Sequence, residues 1–413
     1  MVHQGDTLAG MKKFKDAALP LLVCTSVFPS YTHAQPAPAP SPSASWTLQN
    51  SGTTAGLRGI DAVDGSIAWA SGANGTVLET IDGGEHWSPC AIPDADKDGA
   101  TLDFRGIQAQ DAETAIVMAS GPGNKSRLYK TTDGCKSWVL VFKNPDAPEG
   151  FFASIKFHRE QRQLRDHEGF GLLLGAPVKG KLPVFETRDG GHTWTRIENG
   201  TLASSALAVE GAGSGPFAAS NGSITDFGTD SNFLVTGGRR GSYLLRLNYQ
   251  GTYWLNDASP LTRSWNTTSL PFLKGSDSAG VFAIRGRVDL LEDKDQAVKG
   301  VQYRLVAVGG DYTKPNENTA TAAYSMDGGQ HWSSATTPPH GYRSSVGWSS
   351  ELKAWITVGV NGADISRDDG QTWTPFPDTG TANGSWNSLS LPFVVGPKGA
   401  IARLTTTAPA SKP

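Results

Sequence analysis

The sequence predicts an all-β fold, a seven-bladed β-propeller, and three observations carry that prediction. An Asp followed five residues later by a Trp, with Gly between them, recurs five times: Asp82 with Trp87, Asp133 with Trp138, Asp189 with Trp194, Asp327 with Trp332, and Asp368 with Trp373. Self-similarity at this spacing is the mark of a repeat architecture. Seven short apolar runs are placed to open an innermost strand each: Leu57–Ile60, Phe104–Ile107, Phe151–Ile155, Phe217–Ser220, Val281–Ile284, Tyr342–Val346 and Trp386–Leu389. The two ends of the region also match. Ser45-Trp46-Thr47 reads as the strand after one repeat and Gly399–Leu404 as the strand before one, so the first strand would complete the last blade and close the ring.

Each repeat is a turn. The Asp carboxylate is expected to accept backbone N–H groups one or two residues on, Gly supplies positive φ, and Trp buries a large apolar face across the hairpin. Val77–Thr80 and Val184–Thr187 lead into turns as strands. The repeated Asp and Trp residues are therefore read as structural, and so are His86, His192 and His331 within the turns. No metal site is expected. An eroded copy is read at Asn248–Trp254. Intervals between copies then run from 41 residues (327 to 368) to 79 (248 to 327). The longest is assigned a solvated charged loop at Glu292–Gln296.

The propeller is expected over residues 46–404 as one domain, followed by a disordered tail at 405–413. Residues 1–34 read as a signal peptide. Lys12, Lys13 and Lys15 form its basic region, Ala17–Phe28 its short apolar stretch, and Thr32-His33-Ala34 its small-residue cleavage site. Cys24 follows Val23, a poor fit to a lipid-attachment signal. A linker rich in Pro, Ala and Ser spans 35–45. The expected location is the periplasm or the extracellular space. There Cys90 and Cys135 either pair as a disulfide or stay two separate thiols.

Composition narrows the function. The net charge of −3 gives no drive toward nucleic acid, and no stretch reaches the ~18 apolar residues of a transmembrane helix. There is no strand–Gly-x-Gly-x-x-Gly–helix unit, no Cys-x-x-Cys and no His/carboxylate cluster, so no cofactor is expected. All Asp turns should lie on one rim of the ring, leaving the opposite rim for function. On that rim Arg58, Arg105 and Arg343, from the first, second and sixth blades, are expected to share one arc and bind a carboxylate, a phosphate or an acidic segment of a partner; the alternative is that each bonds a neighbouring blade's backbone or a carboxylate such as Asp103. Asp311 and Tyr312 are adjacent on one loop of the same rim.

The repeats resemble the Asp-box, or BNR repeat, S-x-D-x-G-x-T-W: Ser325–Trp332 and Ser366–Trp373 match it almost position for position. Sialidases share this box and use an arginine triad, so a sialidase-like glycoside hydrolase or a glycan-binding propeller is the alternative reading, with Asp311 and Tyr312 as its nominated acid/base and nucleophile. A longer resemblance spans nearly the whole mature chain. Trp46–Gly52, Leu57–Ile60, Ala307–Tyr312, Gly341–Ser344 and Val395–Gly399 look like the photosystem II stability/assembly factor family. That resemblance implies a seven-bladed, exported, non-catalytic propeller. It would be a monomer that binds a protein partner such as an assembly intermediate of a membrane complex.

Overall fold

The computed structural model describes residues 43–158, 169–197, 214–227, 231–250, 262–292, 298–376 and 384–407. Its strands form seven four-stranded antiparallel sheets, each an up-and-down meander. In the first blade the order from the inside is Leu57–Ala62, Ala68–Gly72, Val77–Thr80 and Ser88–Pro89. The innermost strands of the next six are Phe104–Ala109, Phe152–Phe157, Ile224–Asp226, Ala279–Glu292, Ser345–Ser349 and Ser388–Ser390. Second strands such as Ala115–Ala119 and Gly171–Gly175 are buried at every position. They read as continuous apolar runs because both faces of each sheet are covered by a neighbouring blade.

Seven buried clusters fill seven seams between adjacent blades. One joins Leu57, Ile60 and Trp87 of the first blade to Phe393, Val395 and Ile401 of the last, which closes the ring. The closing strand is Ser43–Gln49. It pairs antiparallel with Ile401–Thr407, Trp46 opposite Leu404 and Gln49 opposite Ile401. Gln49 then reaches the first blade: its Nε2 donates to the Gly83 carbonyl (3.0 Å), and its Oε1 accepts from Trp87 Nε1 (3.0 Å).

The five Asp turns share one bonding scheme. In the first, Thr80 Oγ1 donates to Asp82 Oδ1 (2.9 Å) and accepts the Gly84 N–H (2.8 Å), while Asp82 Oδ1 accepts the His86 N–H (3.0 Å). The same three bonds recur at Thr131 with Asp133, Thr187 with Asp189, Ser325 with Asp327 and Ser366 with Asp368. The backbone donor common to all five lies four residues beyond the Asp rather than one or two, because the carboxylate spans the whole hairpin. Hydrogen bonds from the side chain and backbone of Ser137 and from Thr131 hold the Asp133 carboxyl down at about 2. Asp82, Glu85 and His86 bring three ligand-type atoms within 4.8 Å of one another. All three are exposed, and His86 Nδ1 is bonded to Asp82 Oδ2 (2.7 Å), which makes the trio part of the turn.

The tryptophans of these turns divide, which corrects the expectation that every one of them is buried. Trp87 and Trp373 are buried, whereas Trp138, Trp194 and Trp332 are only half-buried. Each stands one residue ahead of its sheet's outermost strand, where a single seam offers it a packing face and the other face meets solvent. Trp138 packs edge-on against Trp69 (centroids 6.5 Å) and donates from Nε1 to the Ala91 carbonyl (2.9 Å). Trp194 packs edge-on against Phe157 (5.9 Å) and donates to the Gly191 carbonyl within its own turn (3.2 Å). Trp332 donates likewise to the Gly329 carbonyl (3.2 Å). Trp87 is more fully covered because ring closure places Gln49 and Phe393 beside it.

Two further expectations are corrected. Phe217–Ser220 is not the start of a strand: the fourth blade's inner strand begins at Ile224, and 217–222 crosses the central channel. Ser220 Oγ donates to the Ser344 carbonyl, Ser388 Oγ to the Ser220 carbonyl (2.9 Å), and Asn221 Oδ1 accepts the Ile155 N–H (2.7 Å). Ser220-Asn221-Gly222 is polar and Asn221 has φ 60°, chemistry that suits a bonded plug and not a ladder. Asn248 is no turn residue either; it lies inside Ser242–Gln250, paired with Ser264 of Thr262–Leu270. The rest of that eroded copy, 251–254, lies outside the described residues. The charged loop assigned to Glu292–Gln296 lies, beyond Glu292, outside the described residues, and the strands that flank it are long. Ala279–Glu292 and Val298–Asp311 form one long hairpin whose connection, 293–297, lies outside the described residues. The segments assigned to the signal, to most of the linker and to the tail beyond Thr407 also lie outside them. No helix among the described residues is long and apolar enough to cross a membrane.

The seam between the first two blades carries the Cys90–Cys135 disulfide, with Cα atoms 5.3 Å apart. It also carries a stability cost. Glu79 shares a strand face with Val77, which packs in this seam beside Trp69. Glu79 Oε1 has no hydrogen-bond partner among the described residues, and burial pushes the carboxyl up to about 7 from 4.5. The folded state then holds a proton the unfolded chain has lost, so stability falls as pH rises from 4.5 through about 7. Glu79→Gln is expected to add about 1 kcal/mol at pH 8, the site being partly screened by solvent, and nothing at pH 4. Urea unfolding at the two pH values checks this; an equal increment at both would contradict it.

Candidate functional site

The rim opposite the Asp turns collects the loops that enter each inner strand and those between second and third strands. Four inner strands open with a register shift: between Leu57 and Gly59, Phe104 and Gly106, Phe152 and Ser154, and Val281 and Ala283. The extra residues are Arg58, Arg105, Ala153 and Phe282. A bulge turns its extra side chain out of the ladder, and here three of the four carry large side chains to the channel mouth. The following glycine is required at the first of them, since a Cβ on Gly59 would run into Ser71 Oγ.

Two of the three expected arginines meet. Arg58 Nε lies 3.4 Å and Arg105 Nε 2.8 Å from the same oxygen, Asp103 Oδ2, and their side chains remain 37 % and 28 % exposed. One carboxylate between two guanidiniums leaves the pair with a net positive charge. Arg105 also donates from Nη1 to the Ala218 carbonyl (3.3 Å) and lies 5.6 Å over the Phe151 ring.

Arg343 does not join them. Its side chain is 0 % exposed and is ion-paired to Asp364, which is 1 % exposed. Its Nη1 donates to the Tyr342 carbonyl (2.7 Å) and Asn361 Oδ1 (2.5 Å), and Nη2 bonds to His340 Nδ1 (2.9 Å). The reason is register. Arg343 precedes its inner strand, which starts at Ser345, and has no bulge to aim it at the mouth.

Beside the arginines the mouth is aromatic. Phe217, from the plug, stacks on Phe282 with centroids 3.8 Å apart. Phe282 meets Tyr342 edge-on at 4.7 Å and Tyr312 edge-on at 6.2 Å. Burial pushes the Tyr342 phenol up, the neighbouring Tyr312 adds to this, and Arg58 opposes it. Those couplings bring the cationic and aromatic parts of the mouth together. Tyr312 is exposed. Asp311 is not: burial raises its carboxyl, but hydrogen bonds from Thr313 and Ser278 outweigh burial and hold it below its ordinary value. Its Oδ1 accepts both the Thr313 N–H (3.0 Å) and Oγ1–H (2.7 Å).

Sequence reasoning missed Phe217, Phe282 and Tyr342 as the aromatic part of the mouth, whereas Asp103 is the carboxylate it named as a possible partner of the arginines. The Leu57-Arg58-Gly59 and Phe104-Arg105-Gly106 parallel was the available signal; Phe282 stands in the same bulge without it.

A family model described as "Photosynthesis system II assembly factor YCF48" matches residues 39–155. The chain is 23 % identical over 286 residues to a photosystem II assembly lipoprotein Ycf48 of Synechococcus sp. (strain CC9902), covering 61 % of this chain and 77 % of that one. It is 23 % identical over 352 residues to the chloroplastic photosystem II stability/assembly factor HCF136 of Cyanidioschyzon merolae (strain NIES-3377 / 10D), covering 83 % and 70 %. Among solved structures, YCF48 bound to D1 peptide superposes with a TM-score of 0.53 at 17 % identity, covering 88 % of this chain and 97 % of that chain. The WD40 β-propeller domain of Doa1 superposes at 0.50 and 11 % identity, covering 87 % and 97 %. At these identities the structural likeness speaks for the fold alone.

Proposed function

Since the chain is a relative of the photosystem II stability/assembly factor family, we propose that it is an exported, non-catalytic scaffold that holds a segment of a protein partner over the channel mouth. The observation that carries this reading is the Arg58–Asp103–Arg105 cluster, positive on balance and half-open to solvent, beside the Phe217/Phe282/Tyr312/Tyr342 group. Guanidiniums that share one carboxylate keep donors for a second carboxylate, and aromatic faces take the apolar part of a peptide. The partner's segment is then acidic and extended, with an apolar or aromatic side chain next to its carboxylate. The similar propeller YCF48 is bound to D1 peptide, which supports a peptide segment of a protein as the class of ligand. Arg343 is outside this site.

The test is affinity capture of the tagged chain, from Gln35 on, from envelope extract of its own host. Recovery of one membrane complex is expected, reduced at least tenfold by Arg58→Ala/Arg105→Ala. Equal recovery by wild type and double variant would overturn the assignment of this face.

A further inference from the structure

The fifth blade departs from the other six. Its third strand, Ala322–Ser325, covers only Leu305–Val308 of the second strand, yet the first two strands continue their ladder outward from Arg287 opposite Arg304 to Glu292 opposite Val298. Six residues at ~3.3 Å each carry this arm about 20 Å past the Asp-turn rim. A two-stranded ribbon alone in water is marginal at best. Its base, however, is clamped. Arg287 Nη2 pairs with Asp289 (2.7 Å) and Asp369 (3.0 Å), and Arg304 pairs with Asp289 (2.9 Å) and Asp369 (3.0 Å). The Arg287 guanidinium lies 3.8 Å over the Trp348 ring. Asp369 replaces the Gly found at that turn position in the other four copies and sits at φ 59°. The sixth blade's turn is thus modified to grip the arm.

Between arm and sixth blade lies a cleft of about 490 Å³, lined by Arg287, Asp289, Trp348, Lys353, Arg367 and Asp369. Both of its carboxylates are consumed by Arg287 and Arg304. Lys353 and Arg367 are exposed, and neither has a carboxylate partner among the described residues; Arg367 donates only to the Leu352 carbonyl (2.8 Å). Leu291 continues the Arg287/Asp289 face of the arm and is 48 % exposed, and Leu290 on the other face is 58 % exposed. The edge of the second strand is held as far as Tyr303, whose carbonyl accepts the Gly328 N–H (3.0 Å), and the ladder runs on past it to Glu292 opposite Val298, a ribbon edge of the kind that a partner strand extends.

We propose that this cleft docks an extended segment of a protein partner, its carboxylates on Lys353 and Arg367 and its aliphatic side chains along Leu291. The charge left over at the base selects an acidic segment, and the aliphatic flank selects alternate apolar positions. This surface lies on the opposite rim from the Arg58/Arg105 site, so the scaffold would hold two segments at once.

The test uses the chain from Gln35 on, carrying Arg58→Ala/Arg105→Ala so that the other site is silent. The probe is a fluorescein-labelled peptide, Leu-Asp-Val-Glu-Val-Asp-Leu, with a counterpart bearing Lys at each acidic position. Anisotropy is expected to report binding of the acidic peptide alone, weakened by salt. Lys353→Glu/Arg367→Glu should weaken it at least tenfold and Leu291→Ser at least threefold. Equal affinity for the two peptides, or no change on charge reversal, would overturn the proposal. A concentration-dependent dimer in light scattering that Leu291→Ser abolishes would also overturn it, by assigning the arm to a second copy of this chain.

Discussion

Arg343→Ala is expected to lower folding stability by about 3–5 kcal/mol, the range for leaving one member of a buried ion pair unpaired. The remaining member is Asp364, whose Oδ1 is bonded to His340 Nδ1 (2.7 Å) and whose Oδ2 is paired to the lost guanidinium. Removal also strips Asn361 Oδ1 and the Tyr342 carbonyl of a donor. The loss should appear in urea unfolding, and Arg343→Ala combined with Asp364→Asn should cost less than the sum of the two single changes. By contrast Arg58→Ala, on a side chain more than a third exposed, should cost under ~1 kcal/mol. If Arg343→Ala unfolds like the wild type and loses the partner, then Arg343 is a contact residue after all.

The second large effect is at the ring closure. Trp46 is buried against Phe376 (centroids 5.6 Å) and Trp386 (6.4 Å), in the cluster that joins the sixth and seventh blades. Trp46→Ala removes one of the largest side chains from that seam and should cost about 3–5 kcal/mol. The strand it belongs to is the outer edge of the last sheet, so its loss also frees Ile401–Thr407 as an unpaired edge. Leu48→Ala, two residues on along the same face of the strand but 47 % exposed, is the control and should change stability by less than ~0.5 kcal/mol. Equal losses for the two would show that the strand contributes through pairing alone.

The contrast between Arg343 and Trp46 shows what was legible in the sequence. Ring closure could be read because Trp46-Thr47 repeats the start of a turn's outgoing strand, as Trp373-Thr374 does, and a repeat carries its geometry with it. The Asp turns could be read for the same reason, although the bond reaching four residues on depends on a hairpin that no single residue announces. How deeply each turn buries its Trp could not be read, because Trp87 owes its cover to Gln49 from the closing strand, a segment that comes from the other end of the repeat array. Arg58 and Arg105 stand in matching Arg-Gly bulges, so their convergence followed from the repeat. Arg343 has the same side chain but lies two residues ahead of its strand, and its partner Asp364 comes from the third strand of the blade. Nothing local distinguishes the two cases. Phe217–Gly222 misled for a related reason. An apolar start followed by small residues fits either a strand or a plug, and only the donors and acceptors supplied by Ser154, Ser344 and Ser388 decide between them. The charges at Glu292–Gln296 were visible in the sequence, whereas the Leu290–Val301 pairing that makes the flanking strands a ribbon is a cross-strand property.

The central claim is that the partner meets the rim carrying Arg58, Arg105 and Tyr312. The most direct measurement places a photo-crosslinking phenylalanine analogue at Tyr312, on that rim, and separately at Ile81, which is exposed in an Asp turn on the other. Irradiation in the host envelope is predicted to give one discrete adduct from position 312, lost with Arg58→Ala/Arg105→Ala, and none from position 81. An adduct from position 81 without one from position 312 would contradict the account.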